Sequence, residues 1–245
     1  MMDDERTTEY MKHTERELFR VFHVFRGRQQ AALLMIPGDL WNHERLWWMK
    51  KVRDSLQTLL FETAWGWCGA GLTIRGVSCL CLPYARPESA LRRLRSLVEQ
   101  CGGRMTAPAV PPVEEGPGPR SSLREWPHAR TLVEEVRGYF DGRVRTFRAR
   151  VDWLGATDFQ RRVWRAARTI PWGQTRTYGE LAGMAGSPRA ARAVGQCMAS
   201  NPVPLIVPCH RVIRSGGALG GFSAEGGEAF KKKLLEWESS RAYSR

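Results

Sequence analysis

The sequence predicts a two-domain α/β (α+β) protein, a small mixed unit followed by a mostly helical one. Three observations carry that reading. Residues 59–82 run in short apolar stretches broken by glycine, the pattern of strands joined by tight turns. Residues 106–122 are rich in Pro and Gly, a loop or linker rather than a packed element. From residue 158 onward, short helical segments alternate with Pro and Gly breaks. A chain of 245 residues is long enough for both units to bury a core. The expected divisions are 1–57, an N-terminal extension of unknown role; 58–155, the first domain; and 156–240, the second.

Residues 1–57 are polar and irregular, with Trp41, Trp47 and Trp48 clustered. They read as a helical extension or as sequence upstream of a later start such as Met49. Strands are expected at 59–63, 65–72 and 77–82, with Cys79 and Cys81 on one side of theirs because alternate residues share a face. Ala90, Leu91, Leu94, Leu97 and Val98 recur at helical spacing before a Gly102-Gly103 stop. A second helix is expected over 128–140, and 148–154 alternates like one more strand. Asp158 is read as the cap of the next helix. Thr177 is read as capping a helix from Tyr178, Gly186 interrupts, and Ser187-Pro188 restarts a helix over 189–198. These last two helices have a helix-turn-helix outline. The second is nearly bald: Ala190, Ala191, Ala193 and Gly195 leave Arg189, Arg192 and Gln196 as its long polar side chains. Small residues allow close approach to another surface, or simply pack a helix onto a core.

The 38 Lys and Arg against 25 Asp and Glu give a net charge of +13, concentrated toward the C-terminus. That balance points to a polyanionic partner, nucleic acid ahead of a membrane, with a merely arginine-rich solvated surface as the alternative. No apolar run reaches the roughly eighteen residues of a membrane span, and the acidic start Met1-Met2-Asp3-Asp4-Glu5 is unlike a signal peptide. A cytoplasmic protein is expected. Its six cysteines show no CxxC pair and read as free thiols.

The run Ile206-Val207-Pro208-Cys209-His210-Arg211-Val212 is the strongest chemical signal. A thiolate is the reactive form of cysteine, and adjacent His or Arg charge lowers the thiol pKa from about 8.5 toward neutrality. Taken alone, the run reads equally as a strand and turn around a buried, inert cysteine.

In order along the chain come Phe159-Gln160 with Val163-Trp164, Ile170-Pro171-Trp172-Gly173-Gln174-Thr175-Arg176-Thr177-Tyr178-Gly179-Glu180-Leu181-Ala182, Pro188 through Gly195, Asn201-Pro202 and Pro208-Cys209-His210-Arg211-Val212-Ile213. This series closely resembles the O6-alkylguanine-DNA alkyltransferases, the methylated-DNA–protein-cysteine methyltransferases. The resemblance runs from about Phe159 to Glu238; residues 59–154 resemble that family's N-terminal, ribonuclease-H-like domain only loosely.

The resemblance implies DNA repair by a suicide transfer. An alkylated guanine is flipped out of double-stranded DNA, bound through the minor groove, and its O6-alkyl group moves irreversibly to Cys209; O4-alkylthymine is a further candidate substrate. In the family's pattern His210 is the base, acting through a water, Glu238 orients it, and Asn201 ties the active-site turn to the helix-turn-helix. Arg192 matches the arginine finger that fills the vacated stack, and Tyr178 the tyrosine that crowds the 3′ phosphate and helps rotate the nucleotide. Arg189 and Ala190 belong to the DNA-reading helix. The Cys209 and Val212 carbonyls accept the guanine amine, while the Tyr178 hydroxyl and the Ser223 amide face O6. The family often has tyrosine where Phe222 stands. The loop 224–227 reads as about two residues longer than in compact relatives, so Glu238 over Glu236 is inferred from the Leu234-Leu235-Glu236-Trp237-Glu238 ending. Some relatives hold a structural zinc, but Thr73 and Ser78 stand where its ligands would fall, so no metal and no cofactor are expected. A monomer is expected.

Two other classes compete with this reading. A lesion-binding protein without transfer would lack the cysteine that Cys209 supplies. A Cys-His hydrolase would leave Arg192, Tyr178 and the basic C-terminal segment without a role.

Overall fold

In the computed structural model, the residues described are 55–102, 104–105, 127–222 and 224–242, all within the unit Lys51–Arg245. The expectations for residues 1–54, for the stretch 106–122 and for Ser223 lie outside them. Strands β1 (Ser55–Thr63), β2 (Gly66–Thr73) and β3 (Gly76–Tyr84) form an antiparallel meander. A short β4 (Arg104–Met105) pairs in parallel with β1, giving the order β3-β2-β1-β4. Threonines close both hairpins: Thr63 Oγ1 accepts the Trp65 amide at 3.2 Å and Thr73 Oγ1 that of Arg75 at 3.1 Å. Such local side-chain bonds replace the backbone bonds a turn leaves open.

Each face of the sheet is covered. Helix α1 (Pro87–Gln100), with proline in its first turn, lays Ala90, Leu94, Leu97 and Val98 over Leu56, Leu60, Cys79 and Cys81. The two cysteines share a face and serve as core. Helix α2 (Pro127–Phe140) covers the other face, where Leu132, Val136, Tyr139 and Phe140 join Leu59, Phe61 and Ala70. That buried cluster continues without interruption to Val163, Leu181, Val194, Cys209 and Leu234.

The alternation over 148–154 does not make a strand. Only a single parallel bridge forms there, Val77 to Val151. Side chains take the backbone groups a neighbouring strand would use. Glu135 accepts the Arg148 and Ala149 amides at 2.8 and 3.0 Å, and Arg168 donates to the Phe147 and Ala149 carbonyls at 3.5 and 3.4 Å.

Beyond this segment come α3 (Asp158–Ala167), β5 (Arg176–Thr177), α4 (Tyr178–Met184), α5 (Ala191–Ala199), a 3-10 turn (Cys209–Arg211), β6 (Val212–Ile213) and α6 (Gly227–Ala242). Helix α3 is capped one residue earlier than Asp158: Thr157 and Gln160 form a capping box, reciprocal bonds that satisfy two otherwise unpaired amides. Thr177 caps α4 as its position predicts, in a second box with Glu180. Helix α4 ends with Gly186 at φ 72°, Ser187 N–H donating to Ala182 O at 2.8 Å and Gly186 N–H to Gly183 O at 2.9 Å. This paired closure needs a left-handed residue, which glycine supplies without strain. Ser187 does not cap α5. Its carbonyl instead accepts the Ala190 amide at 2.9 Å in a turn, so the helix begins at Ala191 without a side-chain cap. Trp164 on α3 donates from Nε1 to Cys197 O on α5 at 2.9 Å, locking the helical half together. Among the described residues no helix is long and apolar enough to cross a membrane.

Candidate active site

A short proline-rich loop leads into Cys209, and Asn201 shapes it. Its Nδ2 donates to Val207 O at 2.9 Å while its Oδ1 accepts the Val203 amide at 3.1 Å, both buried. Between these anchors Leu205 has φ 69°, a left-handed conformation that costs an L-residue about 1–2 kcal/mol. The Asn201 bonds on either side offset that strain. From the outer edge of the sheet, Leu80 N–H also donates to Pro202 O at 2.8 Å. After Cys209 the chain pairs in parallel with β5, Arg176 with Val212 and Thr177 with Ile213. This pairing sets the first residue of α4, Tyr178, beside the cysteine.

Cys209, Tyr178, Gly195, Met198, Ala199, Gly221 and Phe222 line a cavity of about 300 Å³, the lower end of the range for small-molecule sites. Gly220 stands at φ 72°, and a Cβ there would lie 3.1 Å from Tyr178 Oη. Close approach as well as conformation therefore calls for glycine. Lys231 is fully buried beneath this wall, its Nζ donating to Val212 O at 2.5 Å and Leu219 O at 2.6 Å.

Behind Cys209 lies a buried polar network centred on Glu238. His210 Nε2 is 2.8 Å from Glu238 Oε1, and neither side chain is exposed. Arg211 donates from Nε to Oε2 and from Nη2 to Oε1, each at 2.9 Å, and from Nη1 to Ile170 O at 2.6 Å. Tyr139 donates its hydroxyl to Oε1 at 2.8 Å, and the Gly173 amide donates to Oε2 at 3.0 Å. Trp172 Nε1 donates to the Glu238 carbonyl at 2.9 Å.

These contacts set the ionisation states. Burial alone would raise the Glu238 carboxyl, but donation from His210 and Arg211 brings it down to about 2. A carboxylate is acceptor-only, so His210 carries its proton on Nε2, and Nδ1, which is buried and unpaired among the described residues, is its basic nitrogen. Burial lowers the His210 pKa below its ordinary value despite the Glu238 charge, keeping the ring neutral. Burial raises the Cys209 thiol, opposed by the Asn201 side chain and the Lys231 charge. The Tyr178 hydroxyl is raised by burial and by Cys209, opposed by Arg214. A neutral thiol and a neutral imidazole thus stand on consecutive residues.

The family model of the 6-O-methylguanine DNA methyltransferase DNA-binding domain matches residues 158–240. A methylated-DNA–protein-cysteine methyltransferase of Mycobacterium tuberculosis is 51% identical over 110 residues, 45% of this chain and 65% of the relative. One from Methanosarcina acetivorans is 43% identical over 111 residues, covering 45% of this chain and 69% of that protein. The crystal structure of the M. tuberculosis O6-methylguanine methyltransferase superposes with a TM-score of 0.53 at 32% identity, over 77% of this chain and 96% of that one. The same protein in complex with DNA gives 0.52 at 33% identity, over 75% and 93%. The chain belongs to the methylated-DNA–protein-cysteine methyltransferase family. The sequence alignment spans just under two thirds of the mycobacterial relatives' length.

Within this chain the sequence-predicted residues fall into three groups. Cys209, Tyr178 and Phe222 meet at the cavity; His210 and Glu238 lie together behind it, with Asn201 bracing the loop. Glu236 is exposed and pairs with Lys232 at 3.7 Å, away from His210. Val212 is buried, and its carbonyl already accepts from Lys231, leaving one lone pair for another donor. Arg189 and Arg192 are exposed, Ala190 is half-buried at the α5 N-cap, and none of the three lines the cavity.

One expectation is corrected. Arg211 does not lend its charge to the Cys209 thiol: its guanidinium is committed to Glu238 and Ile170, and burial holds the thiol high. The sequence reading missed Tyr139, Gly173, Gly220 and Lys231. Lys231 opens a run of three lysines with no sign of which is inside. Tyr139 lies 99 residues from Glu238.

Proposed function

We propose that the protein repairs DNA by moving the alkyl group of O6-alkylguanine to Cys209 in a single irreversible step. The observation that carries this reading is the buried Cys209 thiol on the wall of a base-sized cavity, followed at the next residue by the buried His210–Glu238 pair. His210 Nδ1 takes the thiol proton through a water, and the imidazolium formed is stabilised by Glu238. The thiolate attacks the alkyl carbon, an S–C bond forms, and the C–O6 bond breaks with its electron pair going to guanine. The Tyr178 hydroxyl and the Ser223 amide donate to O6 as charge develops there, lowering the barrier because these bonds strengthen in the transition state. The thioether has no route back, so each molecule acts once.

The target atom is inaccessible in a stacked duplex, so the base must be extruded at a cost of a few kcal/mol. Arg192, exposed on a helix of small residues, is suited to fill the vacated stack, and Arg189 and Ala190 to approach the minor groove. In this reading α4 and α5 are a DNA-binding helix-turn-helix, residues 156–240 the reacting domain, and 58–155 a ribonuclease-H-like domain packed on it; the protein acts as a monomer. Phe222 leaves one cavity wall without a hydroxyl and favours apolar alkyl groups.

Cys209→Ala tests the assignment. It should abolish transfer while retaining binding to duplex containing O6-methylguanine. Transfer persisting in that variant would contradict the assignment.

A further inference from the structure

We propose that Tyr139 is a positioning residue that takes part of the Glu238 charge away from His210 and so keeps Cys209 a thiol at rest. The inference rests on His210 being the base for Cys209. Tyr139 Oη and His210 Nε2 each lie 2.8 Å from the same carboxylate oxygen, Oε1. Arg211 Nη2 is 2.9 Å from that oxygen as well. A carboxylate oxygen offers about two lone-pair sites, so donors gathered on one oxygen compete for its charge. The hydroxyl must be a donor here, since the carboxylate has no proton to give.

Nothing allows Tyr139 to turn away. It is fully buried, its ring packs edge-on against Phe140 and Trp172 at 5.2 and 5.0 Å, and its carbonyl accepts from Trp237 Nε1 at 3.3 Å. Its hydroxyl also lies 3.5 Å from His210 Nε2.

The charged and titratable groups facing His210 make this share consequential. Arg211 from its own turn and Lys231 from α6 both disfavour an imidazolium; Glu238, also on α6, favours one, and Tyr139 from α2 draws on Glu238. Cys209 adjoins it in sequence. Without the hydroxyl, more of the Oε1 charge falls to His210, the ring becomes more basic, and the Cys209 proton passes to it at rest. A thiol that can be spent only once is thereby kept from alkylating agents other than its substrate. The restraint comes from α2, outside the stretch 158–240 matched by the DNA-binding-domain family.

The test is the rate of Cys209 carboxamidomethylation by iodoacetamide in the full chain without DNA, followed by peptide mass from about pH 5 to about pH 9. In Tyr139→Phe the rate near neutrality should rise about tenfold, the scale of one hydrogen bond to a charged group, and the acid limb should move to lower pH. In a Glu238→Gln background the same change should have no effect, because no carboxylate charge remains to be shared. A Tyr139→Phe profile that superimposes on the parent or moves to higher pH overturns the proposal, even if stability falls. An acceleration that persists with Glu238→Gln overturns it too. Transfer from free O6-benzylguanine, measured separately on the parent protein, tests the alkyl-transfer reading independently of these outcomes.

Discussion

Arg211 holds Glu238 with two nitrogens, each 2.9 Å from a different carboxylate oxygen, and both side chains are almost wholly removed from water. The pair joins the active-site turn to α6, and its third contact, to Ile170 O at 2.6 Å, reaches the end of α3. Removing one member of such a pair leaves an uncompensated buried charge. Arg211→Ala should therefore destabilise the protein by about 3–5 kcal/mol in chemical denaturation. Arg211→Lys should recover only part of this, because an ammonium cannot reproduce the planar fork.

Acid stability should follow from Glu238 and His210. The Glu238 carboxyl is at about 2 when folded against an ordinary 4.5, so its contribution is complete above pH 4.5 and lost as pH falls toward 2. The shift corresponds to about 3 kcal/mol. His210 is also lowered from its ordinary 6.5, so the buried neutral ring resists protonation, and stability declines as pH falls below that value. Denaturation midpoints measured across this range should show both losses. In Glu238→Gln the steeper loss below pH 4.5 should be absent.

Asn201 should matter to both stability and chemistry. Asn201→Ala removes the two bonds that frame the left-handed Leu205, and should cost about 1–3 kcal/mol. The released loop should also slow alkylation of Cys209, measurable with O6-benzylguanine at a temperature where the variant remains folded.

Gly220→Ala should slow transfer by crowding Tyr178. The added methyl would lie 3.1 Å from Tyr178 Oη at a backbone angle of φ 72°. A stability loss of about 1–2 kcal/mol is expected from the conformation alone, with a larger rate loss for benzyl than for methyl substrates.

Much of the fold was legible because its local signals agree with its packing. Glycine-broken apolar runs became β1 to β3, and the α4 cap at Thr177 lies where a cap residue precedes an apolar helix. The segment 148–154 misled because alternation reports burial, and here Glu135 and Arg168 supply the bonding that a strand would. Cys209 and His210 could be read from their adjacency. Tyr139 could not, since an aromatic residue on an apolar helix face looks the same whether its hydroxyl is idle or bonded to a distant carboxylate. Arg211 beside a cysteine looked like an activating charge, but direction is set by the turn, which points the guanidinium at Glu238.

Under the proposed function, substitution of Arg192 should separate extrusion of the base from chemistry on it. Arg192→Ala should slow repair of O6-methylguanine in duplex DNA by at least about tenfold, since flipping costs a few kcal/mol, while reaction with free O6-benzylguanine is preserved. Equal losses on both substrates would place Arg192 in the reacting pocket instead. Binding to duplex should also weaken as salt rises, because Lys and Arg contacts release counterions.

Cys209 as a single-use alkyl acceptor is tested most directly by an intact-protein and peptide mass spectrum after incubation with duplex containing O6-methylguanine. The predicted result is one added methyl group per molecule, on Cys209, with no further turnover when lesion is in excess. An unmodified Cys209 in protein that still holds the lesion, or a methyl group on another residue, would contradict it.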